Sequence, residues 1–305
     1  MRIGDELRAP VNGIELAYQE LGDPDGEPLV LVMGLGTQMI HWPEGFCELL
    51  AERGFRLIRL DNRDIGHSSV IDAPVPSRTA MLLGLRRGLA YTLDQMADDV
   101  AGLIEYLEIA PAHVVGVSQG GMIAQVLGYR DPDLVRSLGL IMTGSGKRVA
   151  SLPRLRALGT LMRELPDDRD TYVEALMKVF DVIGSPEYPD DRESLRQLIA
   201  EGFDRSHNPA GTARQLHAIT ASGDRTRKLR AVRAPTVVIH GTRDPLVRPA
   251  AGRALAKAIP GARLELIDGM GHDLPPALWE RIVGLLADNA RRAAAPREAA
   301  GERAA

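Results

Sequence analysis

The chain has 305 residues, which suits one large domain or one domain carrying a sizeable insertion. A formal net charge of -4 leaves no cationic footprint for nucleic acid. Cys47 is the only cysteine, so an internal disulfide and a cysteine-built zinc site are excluded.

In chain order, Met1 to Glu6 is charged and lacks the apolar core of a secretory signal. Asn12-Gly13 is a turn dipeptide, and Ile14, Leu16 and Tyr18 alternate after it, so the N-terminus reads as a hairpin. Leu29 to Met33 is a continuous apolar run, as expected of a strand buried on both faces. Trp42 to Arg53 reads as helix, and Phe55 to Leu60 as a strand ending at Asp61-Asn62-Arg63-Asp64. Thr92 to Leu107 is the clearest helix. Met96, Val100, Leu103, Ile104 and Leu107 form one apolar face, and Thr92 with Gln95 has capping-box spacing. His113 to Val117 is a strand, Met122 to Tyr129 is helical, and Asp131-Pro132 ends that helix. Ser137 to Met142 is the next strand.

Strand and helix in alternation predict a parallel sheet covered by helices on both faces. The alternation breaks over 144–230, where helical periodicity continues without a convincing strand. Leu152, Leu155, Leu158, Leu161, Met162 and Leu165 fit one apolar face, as do Val173, Leu176, Met177 and Phe180. A strand at Thr236 to His240, a helix near Pro249 to Ile259, a strand at Arg263 to Ile267 and a helix over Ala277 to Asn289 follow. The expected organisation is a core of 1–143 and 231–290, a helical cap of 144–230, and a disordered or frayed tail, 291–305. No apolar run reaches the roughly 20 residues of a membrane span, so a cytoplasmic protein is expected.

Gly116-Val117-Ser118-Gln119-Gly120 lies between a strand and a helix, the setting of a nucleophile elbow. The turn must be tight, so only small residues fit two positions before and after the serine. A serine hydroxyl needs a base beside it, and that base needs an orienting group. In a parallel sheet such groups gather where strands end. Asp244 follows the strand at 236–240, and His272 follows the strand at 263–267. The order Ser118, Asp244, His272 is that of hydrolases built on this elbow. An oxyanion hole is expected from the backbone N–H groups of Gln119 and Leu35. Substrate contacts are expected from Gly34, His41, Met142 and Phe180.

These segments resemble the α/β-hydrolase superfamily across nearly the whole chain. They are Leu31 to Gly36, Asp61 to Ser68, Gly116 to Gly121, Gly241 to Pro245 and Gly269 to His272. Within it the chain is similar to aclacinomycin methylesterase-like esterases. They share Met33-Gly34 in place of His-Gly, Trp42-Pro43, and Gly269-Met270-Gly271-His272-Asp273-Leu274-Pro275. The resemblance implies an α/β-hydrolase fold: a mostly parallel sheet of eight strands, helices on both faces, and a helical cap insertion. It also implies a serine hydrolase acting on a small-molecule carboxylic ester.

Asp268 and Asp273 are too close to His272 in sequence to be its first-choice partner. Asp61, Arg63 and Asp64 read as braces of their loop. His113 and His240 read as structural, and His67, His207 and His217 as surface or cap residues. Gly34 to Met39 lacks the third glycine of a dinucleotide fingerprint, and Gly144-Ser145-Gly146-Lys147 lacks the frame of a phosphate loop. Neither a cofactor nor a metal is expected. Met81, Leu82, Leu83, Leu85 and the apolar insertion point to a mainly apolar substrate, and a homodimer is compatible with the chain. A thioesterase, lactonase, perhydrolase or C–C bond hydrolase would use the same residues. So would a lyase in which His272 acts as base, or a non-catalytic receptor on this fold, and product analysis and serine acylation separate them.

Overall fold

The computed structural model describes residues 1–147, 152–161, 165–189 and 191–294. The expectations for Met162 and for the tail beyond Ala294 fall outside those residues. β1 (Ile3–Val11) and β2 (Ile14–Leu21) form the predicted hairpin, with Val11 opposite Ile14. Asn12 at φ 48° and Gly13 at φ 76° supply the left-handed pair that a two-residue hairpin turn needs. β3 (Glu27–Val32), β4 (Phe55–Leu60), β5 (Ala112–Val117), β6 (Val135–Ile141), β7 (Thr236–Gly241) and β8 (Arg263–Ile267) complete the sheet. Its eight strands run in the order β1-β2-β4-β3-β5-β6-β7-β8. The β1–β2 and β2–β4 pairs are antiparallel, and the rest are parallel.

Strand residues alternate between two apolar layers, as the pleat requires. From β3, Val30 and Val32 enter one layer and Leu29 and Leu31 the other. The first layer is covered by α3 (Leu93–Tyr106) and α4 (Gln119–Arg130), which follow α2 (Arg78–Leu83) in the chain. The second is covered by α1 (Glu44–Glu52) through Phe46, Cys47 and Leu50. Thr92 caps α3 as expected: its Oγ accepts from Gln95 N at 3.2 Å, and its N–H donates to Gln95 Oε1 at 3.0 Å. The short helix α2 is absent from the sequence reading. Its six residues are too few to show a period, and its cap is a single serine, Ser77.

Between β6 and β7 the described residues hold only helices, as expected. They are α5 (Leu155–Leu161), α6 (Arg169–Ile183), α7 (Arg192–Arg205) and α8 (Pro209–Ala221). Asp168, Asp191 and Asn208 cap the last three by accepting from Thr171, Glu193 and Gly211 N–H groups. The leucine stripe starting at Leu152 is not one helical face. Leu152 precedes α5, and Leu155 is 88% exposed. Val173 and Met177 do form a small core with Ile199 and Ala200, against which Leu176 and Phe180 pack. α9 (Pro249–Ala258) and α10 (Trp279–Ala294) close the chain, with Leu255 in the first layer and Ile282, Val283 and Leu286 in the second. α10 begins later than predicted, after a short 3₁₀ turn at Pro276–Leu278, and runs into the segment expected to fray. Among the described residues, no helix is long and apolar enough to cross a membrane.

The insertion is pinned to the sheet by buried ion pairs on the loop after β4. Arg214 of α8 meets Asp64 in a two-pronged contact, at 2.8 Å on each oxygen. Arg205 of α7 meets Asp61 at 2.7 Å. Arg63 holds Asp99 of α3 at 2.6 Å on both oxygens. The three residues read as loop braces thus also carry the helices on either side. Removing one partner of a buried pair leaves an uncompensated charge, at a cost of about 3–5 kcal/mol. Arg214→Met is therefore expected to lower the urea midpoint sharply. The double variant Asp64→Asn/Arg214→Met should recover part of the loss.

Candidate active site

Ser118 stands between β5 and α4 with φ 52° and ψ -113°, a conformation that residues with side chains rarely adopt. Its glycine neighbours make that turn possible. A Cβ on Gly116 would lie 2.3 Å from the Gly120 carbonyl, and one on Gly120 would lie 2.0 Å from Val32 O. A Cβ on Gly121 would lie 2.6 Å from Thr143 Cγ2. The turn is also tied across the sheet. Ser118 N–H donates to Ile141 O at 2.9 Å, and Thr143 Oγ1 donates to Ser118 O at 2.7 Å.

The loops after β7 and β8 bring Asp244 and His272 to this serine. Ser118 Oγ lies 3.2 Å from His272 Nε2, and His272 Nδ1 lies 2.7 Å from Asp244 Oδ2. A carboxylate can only accept, so the network places the ring proton on Nδ1 and leaves Nε2 free to receive the serine proton. Asp244 Oδ1 accepts from the Leu246 and Val247 N–H groups, both at 2.8 Å. Burial alone would raise the Asp244 pKa. The charge of His272, with hydrogen bonds from His240 and His272, outweighs it and holds the carboxyl below its usual value. Asp273 takes no part in that chain. It accepts from Ser185 N–H at 2.9 Å and from the Ser185 hydroxyl, and burial pushes its pKa up. His240 is buried between Asp244, 3.5 Å away, and Val247 O, to which its Nε2 donates at 2.6 Å.

The hydroxyl opens into a cavity of about 810 Å³ between the sheet and the insertion. Gly34, Leu35, His41, Met142 and Phe180 all line it, so each anticipated pocket residue is placed there. Gln119 is buried beneath, at the start of α4. Among the described residues, no hydrogen-bond partner takes up the backbone N–H of Leu35 or of Gln119. From the insertion, Leu158, Leu165, Leu176, Val179, Leu195 and Leu216 make the far wall mainly apolar. Met81 and Leu82 reach the wall, whereas Leu83 and Leu85 point outward. The described residues contain no group of three or more His, Cys, Asp or Glu able to hold a metal.

Several residues that build the site escaped the sequence reading. Gln38 donates to Gly202 O and Ser206 O at 2.6 and 2.9 Å, joining the loop after β3 to α7. Gln215 of α8 joins the same loop through Gly36 N–H at 3.0 Å. The α6 end clasps the histidine loop: His272 N–H donates to Ile183 O at 2.7 Å, and Gly271 N–H to Ser185 Oγ at 2.8 Å. A lone glutamine or serine carries no sequence signal for such contacts, whether in a loop, as Gln38 and Ser185 are, or in a helix, as Gln215 is. His217, read as surface or cap, lies in α8 but is buried, donating to Leu85 O at 2.6 Å.

Residues 27–275 match the model of the alpha/beta hydrolase fold family. The chain belongs to this family. The hydrolase is 27% identical over 301 residues to rhodomycin D methylesterase DnrP of Streptomyces peucetius, covering 92% of this chain and 96% of that one. It is similarly 27% identical over 305 residues to rhodomycin D methylesterase DauP of Streptomyces sp. strain C5. Among solved structures, the enol-lactonase from Burkholderia xenovorans LB400 superposes with a TM-score of 0.71 at 27% identity, over 93% of this chain and 99% of that one.

Gly120→Ala is expected to give no folded protein, because the new methyl meets backbone oxygen on both Val32 and Met33. Soluble yield and near-ultraviolet circular dichroism would show it. His41 has its pKa lowered to about 4, chiefly by burial. Its contribution to stability is intact above the ordinary value of 6.5 and is lost progressively as pH falls toward 4. Denaturant midpoints measured across that window should fall less for His41→Gln than for the wild type.

Proposed function

We propose that this hydrolase is a serine esterase that cleaves a carboxylic ester of a mainly apolar small molecule. The observation that carries this reading is the hydrogen-bonded chain Ser118–His272–Asp244 in the wall of an apolar cavity. Residues 1–143 and 231–290 form the catalytic core in this reading, and 144–230 form its cap.

His272 Nε2 takes the Ser118 proton as Oγ attacks the ester carbonyl. Asp244 keeps the imidazole in the required tautomer and stabilises its charged form. The N–H groups of Leu35 and Gln119 receive the oxyanion, the second at a helix N-terminus whose dipole favours negative charge. His272 then gives its proton to the leaving alcohol. In the second half, His272 activates water, which attacks the acyl-enzyme and frees the acid. Base catalysis of this kind contributes roughly 10²–10⁴-fold.

The likeness to two methylesterases over nearly the whole chain supports a small alcohol as leaving group. The cavity volume suits an acyl part of drug-like size. The likeness to an enol-lactonase supports cyclic esters as a second substrate class, reached by the same steps with the leaving oxygen still tethered.

The test is hydrolysis of a chain-length series of p-nitrophenyl esters, with fluorophosphonate labelling, by wild type and Ser118→Ala. The expected outcome is that turnover and labelling vanish together in a variant that still folds. Wild-type turnover in Ser118→Ala would refute the assignment. A preference for short charged esters over long apolar ones would refute the substrate class.

A further inference from the structure

We infer that Gln215 of α8, together with Thr37, aims the Leu35 N–H at the reaction centre. The insertion then belongs to the oxyanion machinery as well as roofing it. This rests on the serine-esterase reading above.

Two consecutive peptide planes flank Leu35. In a trans peptide unit the C=O and N–H point in opposite directions. The Leu35 N–H shares its unit with the Gly34 C=O. Thr37 Oγ1 donates to Gly34 O at 3.0 Å, and Thr37 N–H reaches the same oxygen at 3.4 Å. Holding that carbonyl toward Thr37 turns the Leu35 N–H the other way. The next unit pairs the Leu35 C=O with the Gly36 N–H, which donates to Gln215 Oε1 at 3.0 Å.

Gln215 is itself locked. It is fully buried, and its Nε2 donates to Arg63 O at 2.9 Å. Exchanging its amide O and N would set donor against donor at Gly36 and acceptor against acceptor at Arg63, so the network fixes the orientation. Thr212, one turn earlier on the same face of α8, presses on the loop as well. Gly36 has φ 67°, and a Cβ there would lie 2.9 Å from Thr212 Cγ2. Both planes flanking Leu35 are thus held, one by a hydroxyl of the loop and one by an amide of the insertion.

Gln215 is buried behind the cavity wall, and the Thr37 hydroxyl, although it lines the cavity, is engaged by Gly34 O, so both are read as positioning residues. The oxyanion exists only beyond the ground state, so a misaimed N–H costs turnover more than substrate binding. Thioesters of the C=S type (thionoesters) expose this directly, because C=S accepts hydrogen bonds poorly. A working oxyanion hole therefore favours the C=O ester, and the preference shrinks as the hole loosens.

The experiment compares Gln215→Met and Thr37→Val with wild type on a p-nitrophenyl ester and its thionoester, alongside thermal melts. The expected result for each is a fall in kcat of about tenfold, part of the 10²–10³-fold cost of losing a donor outright. KM should stay within about twofold, and the oxoester preference should shrink about as much as kcat. Unchanged kcat and preference would overturn the inference, as would a raised KM or lowered melting temperature with the preference intact. Should Gln215→Met not fold, Gln215→Asn withdraws the amide by one methylene and is read the same way. Ser118→Ala runs beside them: turnover surviving there sinks the esterase reading itself, whereas unaffected positioning variants sink only this inference.

Discussion

Ser118 stands at φ 52° because the chain must turn from β5 into α4 within a gap that leaves no room for side chains at Gly116 and Gly120. Such a conformation costs of order 1–3 kcal/mol and persists only where the surroundings enforce it. Here the enforcement comes from the neighbouring strands. Backbone oxygen of β3 fills the space above Gly120, and β6 receives the serine N–H through Ile141. The elbow thereby fixes the serine relative to the whole sheet. The loops bearing Leu35, Asp244 and His272 leave the same edge, so their distances to Oγ follow from strand register.

The second organising element is the loop after β4. Asp61 accepts from Met39 N–H and His67 N–H and pairs with Arg205, so one buried carboxylate joins three separate segments. Asp64 does the same work for α8 through Arg214. A guanidinium fork matches both oxygens of a carboxylate, which fixes angle as well as distance. Buried charge here adds little net stability, because desolvation offsets much of the attraction. Its effect is to specify one placement of the insertion over the strand ends that carry Ser118, Asp244 and His272.

The sheet, the elbow and the Ser118–Asp244–His272 grouping were legible because each has a local signature. Buried parallel strands are apolar runs, the elbow needs glycine at fixed offsets, and Asp244 and His272 each follow a strand end. Helix ends in the insertion were legible in principle at Asp168, Asp191 and Asn208, each a good cap just before a periodic stretch. The leucine stripe from Leu152 misled because periodicity records spacing and not which residues are covered. Gln38, Ser185, Arg205, Arg214 and Gln215 were invisible for a different reason. Each acts across a sequence separation that no local pattern encodes, and glutamine, serine and arginine are ordinary on helix surfaces. Strand order, too, is a property of tertiary packing.

The clasp between the α6 end and the histidine loop bears on traffic. Ile183 and Ser185 hold the backbone of His272 and Gly271, while Gln215 holds the loop on the other side of the cavity. Lifting the insertion as a rigid roof would break all of these hydrogen bonds at once. Leu82 and Leu152 are both exposed and part of the cavity wall, so the wall reaches the surface beside them. In the esterase reading, a molecule bound there would meet a solvent-facing rim before the apolar interior.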